Sequence, residues 1–241
     1  MIESREKINK NLPHNDLPQH LAIMIDGNRR WAKARHLPSW FGHRAGIKRV
    51  IEIINYAKKK GIKVLTLYGF STENWNRSKE EVNSLMELFS TFAKKYASQF
   101  KKKGIQFRHL GNIKDLPKQL QRNIQKACEL TRDSKEMILN IALNYGGRDE
   151  ITRAVQKIIQ KRIPAKKITE QLIMANLDTK GLPDVDFIVR TSGEMRLSNF
   201  LPLQGTYAEL YFPKVYWPDF DAHQFDLTLE EFKKRQRKFG K

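Results

Sequence analysis

The apolar run Leu21-Ala22-Ile23-Met24-Ile25 stops abruptly at Asp26-Gly27-Asn28-Arg29-Arg30-Trp31. A short unbroken apolar run reads as a buried strand. Lys63–Phe70, Ile105–Leu110, Met137–Tyr145 and Val185–Val189 read the same way, and Leu210–Phe212 as a short strand before Pro213. Between these runs the period changes. Ile47, Val50, Ile51, Ile54 and Ala57 recur at helical spacing over Gly46–Lys60. Val82, Leu85, Met86, Phe89, Ala93, Tyr96 and Phe100 do so over Lys79–Phe100, the longest predicted helix. Pro117–Thr131, Arg148–Lys161, Thr169–Asn176 and Leu229–Phe239 complete the helical set. Buried strands alternating with crossover-length helices predict an α/β fold: a single domain with a mostly parallel central sheet flanked by helices. Residues 1–19 are polar and charged and read as an N-terminal extension, with residues 20–241 forming the domain.

In open parallel sheets, ligands bind outside the carboxyl ends of the strands. The polar clusters of this chain fall there. The first predicted strand ends at Asp26-Gly27-Asn28, with Asn28 able to cap a following helix, and the second at Ser71-Thr72-Glu73-Asn74-Trp75-Asn76-Arg77. Others end at Asn144-Tyr145-Gly146-Gly147-Arg148 and at Arg190-Thr191-Ser192-Gly193-Glu194-Met195-Arg196-Leu197-Ser198-Asn199. A carboxylate, free backbone amides and arginines converging on one edge describe a site for a metal-bound polyphosphate. Asp26 supplies a hard oxygen ligand. Arg30, Arg77, Arg190 and Arg196 are the candidate phosphate grips, and Ser71 and Ser198 the candidate hydroxyl donors.

Charge sharpens this picture. Lys and Arg number 45 against 26 Asp and Glu, a net +19. Lysine runs such as Lys58-Lys59-Lys60 and Lys101-Lys102-Lys103 close predicted helices, where they complement the helix dipole. Arginines sit inside the motifs, and guanidinium is the better bidentate partner for phosphate. No zinc-finger spacing, helix-turn-helix signal or aromatic RNA-binding motif accompanies the charge, so nucleic acid is not an expected partner. Absent too are a Gly-x-Ser-x-Gly nucleophile and a Gly-x-x-x-x-Gly-Lys phosphate loop, and Cys128 lies far from the clusters. A site rich in phosphate grips and poor in nucleophiles suggests substrates that react with each other. One cysteine, no signal-like core near the start and no bilayer-length apolar run predict a cytoplasmic protein.

In this order, the clusters resemble the cis-prenyltransferases, the family of undecaprenyl diphosphate synthase. The likeness is carried by Met24–Ala32, Phe70–Arg77, Arg190–Phe200, Ala208–Phe212 and Trp217–Phe220, and spans about His20 to Gly240. It implies cis condensation of isopentenyl diphosphate onto an allylic diphosphate such as farnesyl diphosphate, giving a polyprenyl diphosphate of the undecaprenyl type. By resemblance, Asp26 and Glu209 hold Mg²⁺, with Gly27, Asn28, Arg29, Arg30, Trp31 and His43 about the allylic diphosphate. Arg190, Arg196, Leu197 and Ser198 take the isopentenyl diphosphate. Ser71, Thr72, Glu73, Asn74, Trp75 and Arg77 position the reacting ends, Asn74 being assigned a proton-accepting role that an amide is poorly suited to play. An apolar tunnel between sheet and helices, a homodimer with Glu194 and Arg196 near its interface, and transient contact with an anionic membrane also follow from the likeness. A catalytically silent binding subunit is the alternative, but it would be expected to lose Asp26 or the arginines. The chain departs from the family pattern at Ser39, where an arginine is usual four residues before His43. Arg29 stands for a frequent glycine, and Leu201-Pro202-Leu203-Gln204-Gly205 for Leu-Leu-Trp-Gln-x. Arg29, Arg35 and Arg44 are the candidates to replace the missing arginine.

Overall fold

The computed structural model describes residues 17–235, so most of the 1–19 extension and the end of the expected 229–239 helix lie outside it. Six strands form one sheet: β1 (His20–Met24), β2 (Val64–Ser71), β3 (Ile105–Leu110), β4 (Met137–Tyr145), β5 (Phe187–Arg190) and β6 (Glu209–Tyr211). Their order is β3-β4-β2-β1-β5-β6 and every neighbouring pair is parallel. Both faces are buried, as the continuous apolar runs require. Along β1, Leu21 and Ile23 enter one apolar cluster while Ala22 and Met24 enter another, which is the strand alternation acting on two cores at once.

The helices are α1 (Asn28–Lys33), α2 (Ser39–Lys60), α3 (Lys79–Lys102), α4 (Lys118–Leu130), α5 (Gly147–Gln160), α6 (Glu170–Met174) and α7 (Ala222–Lys233). Three differ from the sequence reading. A helix after Asn28 was anticipated from its capping ability alone, and α1 is only six residues long, too short to carry a measurable period. α2 begins before Gly46, since Gly42 and Gly46 sit on its inner face rather than interrupting it. α7 starts earlier than Leu229 because Asp221 caps it, accepting from the Gln224 N–H at 3.0 Å. Among the described residues no helix is long and apolar enough to cross a membrane. Cys128 is half-buried, and burial pushes its thiol pKa up to about 11, the state of an unreactive thiol.

The two glycines of α2 let the start of α1 press against it. A Cβ at Gly42 would lie 2.0 Å from the Asn28 carbonyl oxygen, and one at Gly46 2.4 Å from Asn28 Oδ1. Asn28 therefore does not cap α1; it sits inside the first turn with Oδ1 buried and without a partner, while Gly27 holds the N-cap position. Gly42→Ala is expected to cost about 1–3 kcal/mol, because the obstructing atom belongs to the backbone and cannot rotate away. Thermal unfolding measures this, and a melting temperature equal to that of the parent would refute it.

Candidate active site

β1 and β5 end in register, with Met24 beside Arg190, and β2 runs alongside with Tyr68 beside Met24. Strand order reverses around β1, which makes this sheet edge the expected binding crevice. Asp26 lies just past the end of β1. Its Oδ2 accepts from Arg190 Nε at 3.2 Å and Nη2 at 2.9 Å, and its Oδ1 from Arg30 Nη2 at 3.2 Å and the Gly27 N–H at 2.6 Å. Thr191 fixes the backbone here, its hydroxyl lying 3.0 Å from the Asp26 N–H and donating to the Asp26 carbonyl at 2.7 Å. Gly27 has φ 99°, and a Cβ there would meet Tyr216 Cδ1 at 2.8 Å and Ser192 Cβ at 3.0 Å. Only glycine fits this turn.

Arg190 is 6% exposed. Besides Asp26 it donates from Nη1 to Ser198 Oγ at 2.8 Å and to the Arg196 carbonyl at 2.6 Å. It therefore organises the corner as much as it offers charge. Arg30 donates to Ser192 Oγ at 2.6 Å and to Glu194, which also takes Arg196. Those hydrogen bonds, from Arg196 and then Arg30, hold the Glu194 carboxyl below its ordinary pKa.

On the β2 side, Ser71 caps a 3-10 turn over Thr72–Asn76. The Ser71 N–H donates to Asn74 Oδ1 at 3.1 Å. A backbone N–H can only donate, so the amide orientation is fixed and Asn74 turns its NH₂ away from the cap. Glu73 accepts from Asn199 Nδ2 at 3.1 Å. Burial favours its neutral form, but hydrogen bonds from its own backbone, Ser71, Asn199 and Thr72 outweigh this and lower its pKa.

Glu81, which the sequence reading passed over, gathers the cations at the other wall. Its Oε1 lies 3.2 Å from His43 Nε2 and 3.0 Å from Arg77 Nη1, and its Oε2 lies 3.6 Å from Arg29 Nη1. Burial lowers the His43 pKa, with Glu81 opposing, so the ring is neutral at pH 7 with its proton on Nε2, facing the carboxylate. The signal was present: Ser78-x-x-Glu81 is a helix-start pattern, and Arg77 precedes Glu81 by one turn.

A cavity of about 1100 Å³ opens among these groups, although Glu81, Ser192 and Glu194 stand behind its lining. Of the sequence-predicted residues it takes in Asp26, Gly27, Asn28, Arg29, Arg30, His43, Ser71, Glu73, Asn74, Arg77, Arg190 and Ser198. Ile47, Gly69, Phe70, Leu85, Leu88 and Phe89 give the same cavity an apolar wall between α2, α3 and β2. Ser39 also lines it. Of the three candidate replacements for the missing arginine, Arg29 lines the cavity, Arg35 is committed to Asp219 at 3.1 Å, and Arg44 lies over the Trp40 ring.

Trp31, Thr72, Trp75, Arg196, Leu197 and Glu209 stand outside the cavity lining. Trp31 turns outward to Asp219, donating at 2.7 Å. Trp75 donates to Asn144 Oδ1 at 2.7 Å, and Leu197 packs into the smaller core. Thr72 lies against Gly146, where its Oγ1 would be 2.6 Å from an added Cβ, while Arg196 is exposed and paired with Glu194. Glu209 pairs in register with Phe187, and Phe187 with Leu21, which places it roughly 15 Å back along the strands from Asp26. There it faces Arg235 at 3.4 Å. The Asn144–Arg148 cluster does not reach the cavity either. Its backbone and side chains hold the Trp75 and Asn199 loops, with the Gly147 N–H donating to the Asn199 carbonyl at 2.7 Å.

A family model described as putative undecaprenyl diphosphate synthase matches residues 23–240. The chain belongs to this prenyltransferase family. Curated relatives include an isoprenyl transferase of Clostridium tetani, 41% identical over 94% of this chain and 90% of its own length. A ditrans,polycis-undecaprenyl-diphosphate synthase of Legionella pneumophila strain Paris, described as (2E,6E)-farnesyl-diphosphate specific, is 43% identical over 94% of this chain and 97% of its own. Among solved structures, lavandulyl diphosphate synthase from Lavandula x intermedia, in complex with dimethylallyl diphosphate, superposes with a TM-score of 0.89. It is 34% identical and covers 94% of this chain and 99% of its own. This prenyltransferase is thus an enzyme that transfers prenyl groups and elongates chains in cis.

Proposed function

We propose that this prenyltransferase repeatedly condenses isopentenyl diphosphate onto an allylic diphosphate of the farnesyl type, releasing an undecaprenyl-type polyprenyl diphosphate. The observation that carries this reading is Asp26, held between Arg30 and Arg190 at the polar end of a cavity whose other wall is hydrocarbon. In each cycle the allylic C–O bond breaks and the diphosphate leaves with the bonding electrons. The isopentenyl double bond attacks the allylic carbon, and loss of a proton restores a double bond. Gly27, Asn28, Arg29 and Arg30 would cradle the leaving diphosphate, Arg190 and Ser198 the incoming one, and the apolar wall the growing chain.

A magnesium ion held by one carboxylate completes its shell with water and phosphate oxygens. A single, partly exposed Asp26 facing an open cavity fits that mode, and Mg²⁺ there would neutralise charge on the departing diphosphate. Glu209 of the same chain is too far away to share that ion, so its assignment as a ligand requires a second copy, consistent with a homodimer. The same reading places the enzyme in the cytoplasm with transient contact to an anionic membrane. Incubation with farnesyl diphosphate, labelled isopentenyl diphosphate and Mg²⁺, followed by chain-length analysis, tests the proposal. No incorporation with any allylic primer would overturn it.

Asn74 acts here as a donor that orients a diphosphate, because its carbonyl oxygen is already engaged by the Ser71 N–H. The departing diphosphate is the better proton acceptor. Asn74→Asp keeps the cap acceptor and removes the donor, so kcat is expected to fall on the order of 10²-fold with thermal stability unchanged. Full activity of the variant would point to a base at this position instead.

A further inference from the structure

Residues 33–41, from the end of α1 into the first turn of α2, are exposed without interruption. Leu37, Trp40 and Phe41 lie within that stretch at 37%, 45% and 39% exposure, and the two aromatic rings stack at 3.8 Å between centroids. Large apolar groups clustered this openly mark an interaction surface. Leu37 also lines the substrate cavity, together with His36, Pro38 and Ser39. The patch is therefore the outer lip of the site itself.

Its charge identifies the occupant. Arg44 and Lys48 follow Trp40 at successive turns of α2, both exposed, with the Arg44 guanidinium 5.6 Å from the Trp40 ring centre. Neither forms an ion pair among the described residues, and nor does Lys33 at the start of the patch. A second copy docking through this face by a two-fold axis would set these cations against their own equivalents. An anionic bilayer meets every requirement. Tryptophan rings settle at the headgroup level, and lysine and arginine beside them are drawn to acidic lipids.

We infer that Leu37, Trp40 and Phe41, rimmed by Arg44 and Lys48, form a docking face for an anionic phospholipid surface, which seats the mouth of the substrate cavity directly on the bilayer. This deepens the proposed function and rests on it, since a polyprenyl product needs an apolar phase to enter. Ser39 fits the same picture. Where the family usually carries an arginine this chain has a small neutral side chain, which leaves the lip between Pro38 and Trp40 without a charge.

Flotation of the full-length protein with vesicles of phosphatidylcholine alone, or mixed with phosphatidylglycerol, tests the inference. The expected result is binding to the mixed vesicles only, weakened on the order of tenfold both in W40S/F41S and in R44E/K48E. Quenching of tryptophan emission by brominated lipid should disappear in Trp40→Phe. Turnover of the two double variants in detergent solution should match the parent, which also certifies that they fold. Undiminished binding of W40S/F41S, or no binding of the parent to either vesicle, overturns the docking face. So does a change in oligomeric state of W40S/F41S by sedimentation, which would assign the patch to a second copy. Prenyl transfer in detergent is read separately, so loss of vesicle binding with intact transfer defeats this surface alone. Absent transfer instead defeats the proposed function.

Discussion

Asp26→Asn is expected to lower kcat on the order of 10³-fold while the protein remains folded. The substitution preserves shape and leaves one oxygen to accept from Gly27, Arg30 or Arg190. It removes the one carboxylate that, among the described residues, faces both arginines, and with it the hard ligand for a cation. The diphosphate would then leave without its counter-charge. KM for the substrates should change less than kcat, because Arg30 and Arg190 lose a competitor for phosphate as the metal site weakens. Raising the Mg²⁺ concentration should recover part of the rate. A variant with parental kcat and an unchanged Mg²⁺ dependence would show that Asp26 serves only to hold the arginines in place.

The second large effect is expected at Arg190. Arg190→Lys replaces a planar fork that reaches Asp26, Ser198 and the Arg196 carbonyl together with one compact charge. At this depth the abandoned acceptors cannot all turn to water, so a stability loss of about 2–4 kcal/mol is expected. The kcat/KM for isopentenyl diphosphate should fall on the order of 10²-fold. Arg196→Lys provides the contrast. Its side chain is 61% exposed and among the described residues pairs only with Glu194, so its effect on stability should be within about 0.5 kcal/mol. Equal losses at the two positions would contradict the division of labour seen here.

The sheet was legible because its strands are buried on both sides: β1, β2, β3 and β4 all match apolar runs in the sequence. Helix starts were less so. The sequence reading began α2 at Gly46 and so missed its first seven residues, because a sequence shows no neighbour; Gly42 admits the Asn28 backbone and Gly46 its side chain. Asp26, Arg30, Arg190 and Ser198 could be anticipated together, since each belongs to a polar cluster at the carboxyl end of a strand. Trp31 could not be placed, because one residue past Arg30 on a helix points about 100° away. Glu81 was overlooked for a similar reason: it lies on the predicted α3, outside the strand-end clusters, and only the packing of α2 against α3 brings His43 to it. The Asn144 cluster looks as polar in the sequence as the clusters that line the cavity, and only its contacts, together with the positive φ of 50° at Asn144, show it to be a buttress.

The position of β1 in the sheet has a consequence for how the protein is made. β1 leaves the ribosome before the other strands of its sheet, yet one of its two neighbours is β5, and Asp26 waits for Arg190, 164 residues downstream. At about 5–20 residues per second that interval lasts roughly 8–30 s. Throughout it the β1 edge is a bare row of hydrogen-bonding groups, open to pairing with the wrong strand. Chains truncated before β5 should therefore aggregate rather than accumulate as a smaller folded core, and the last third of the sequence acts as the closing half of its own fold.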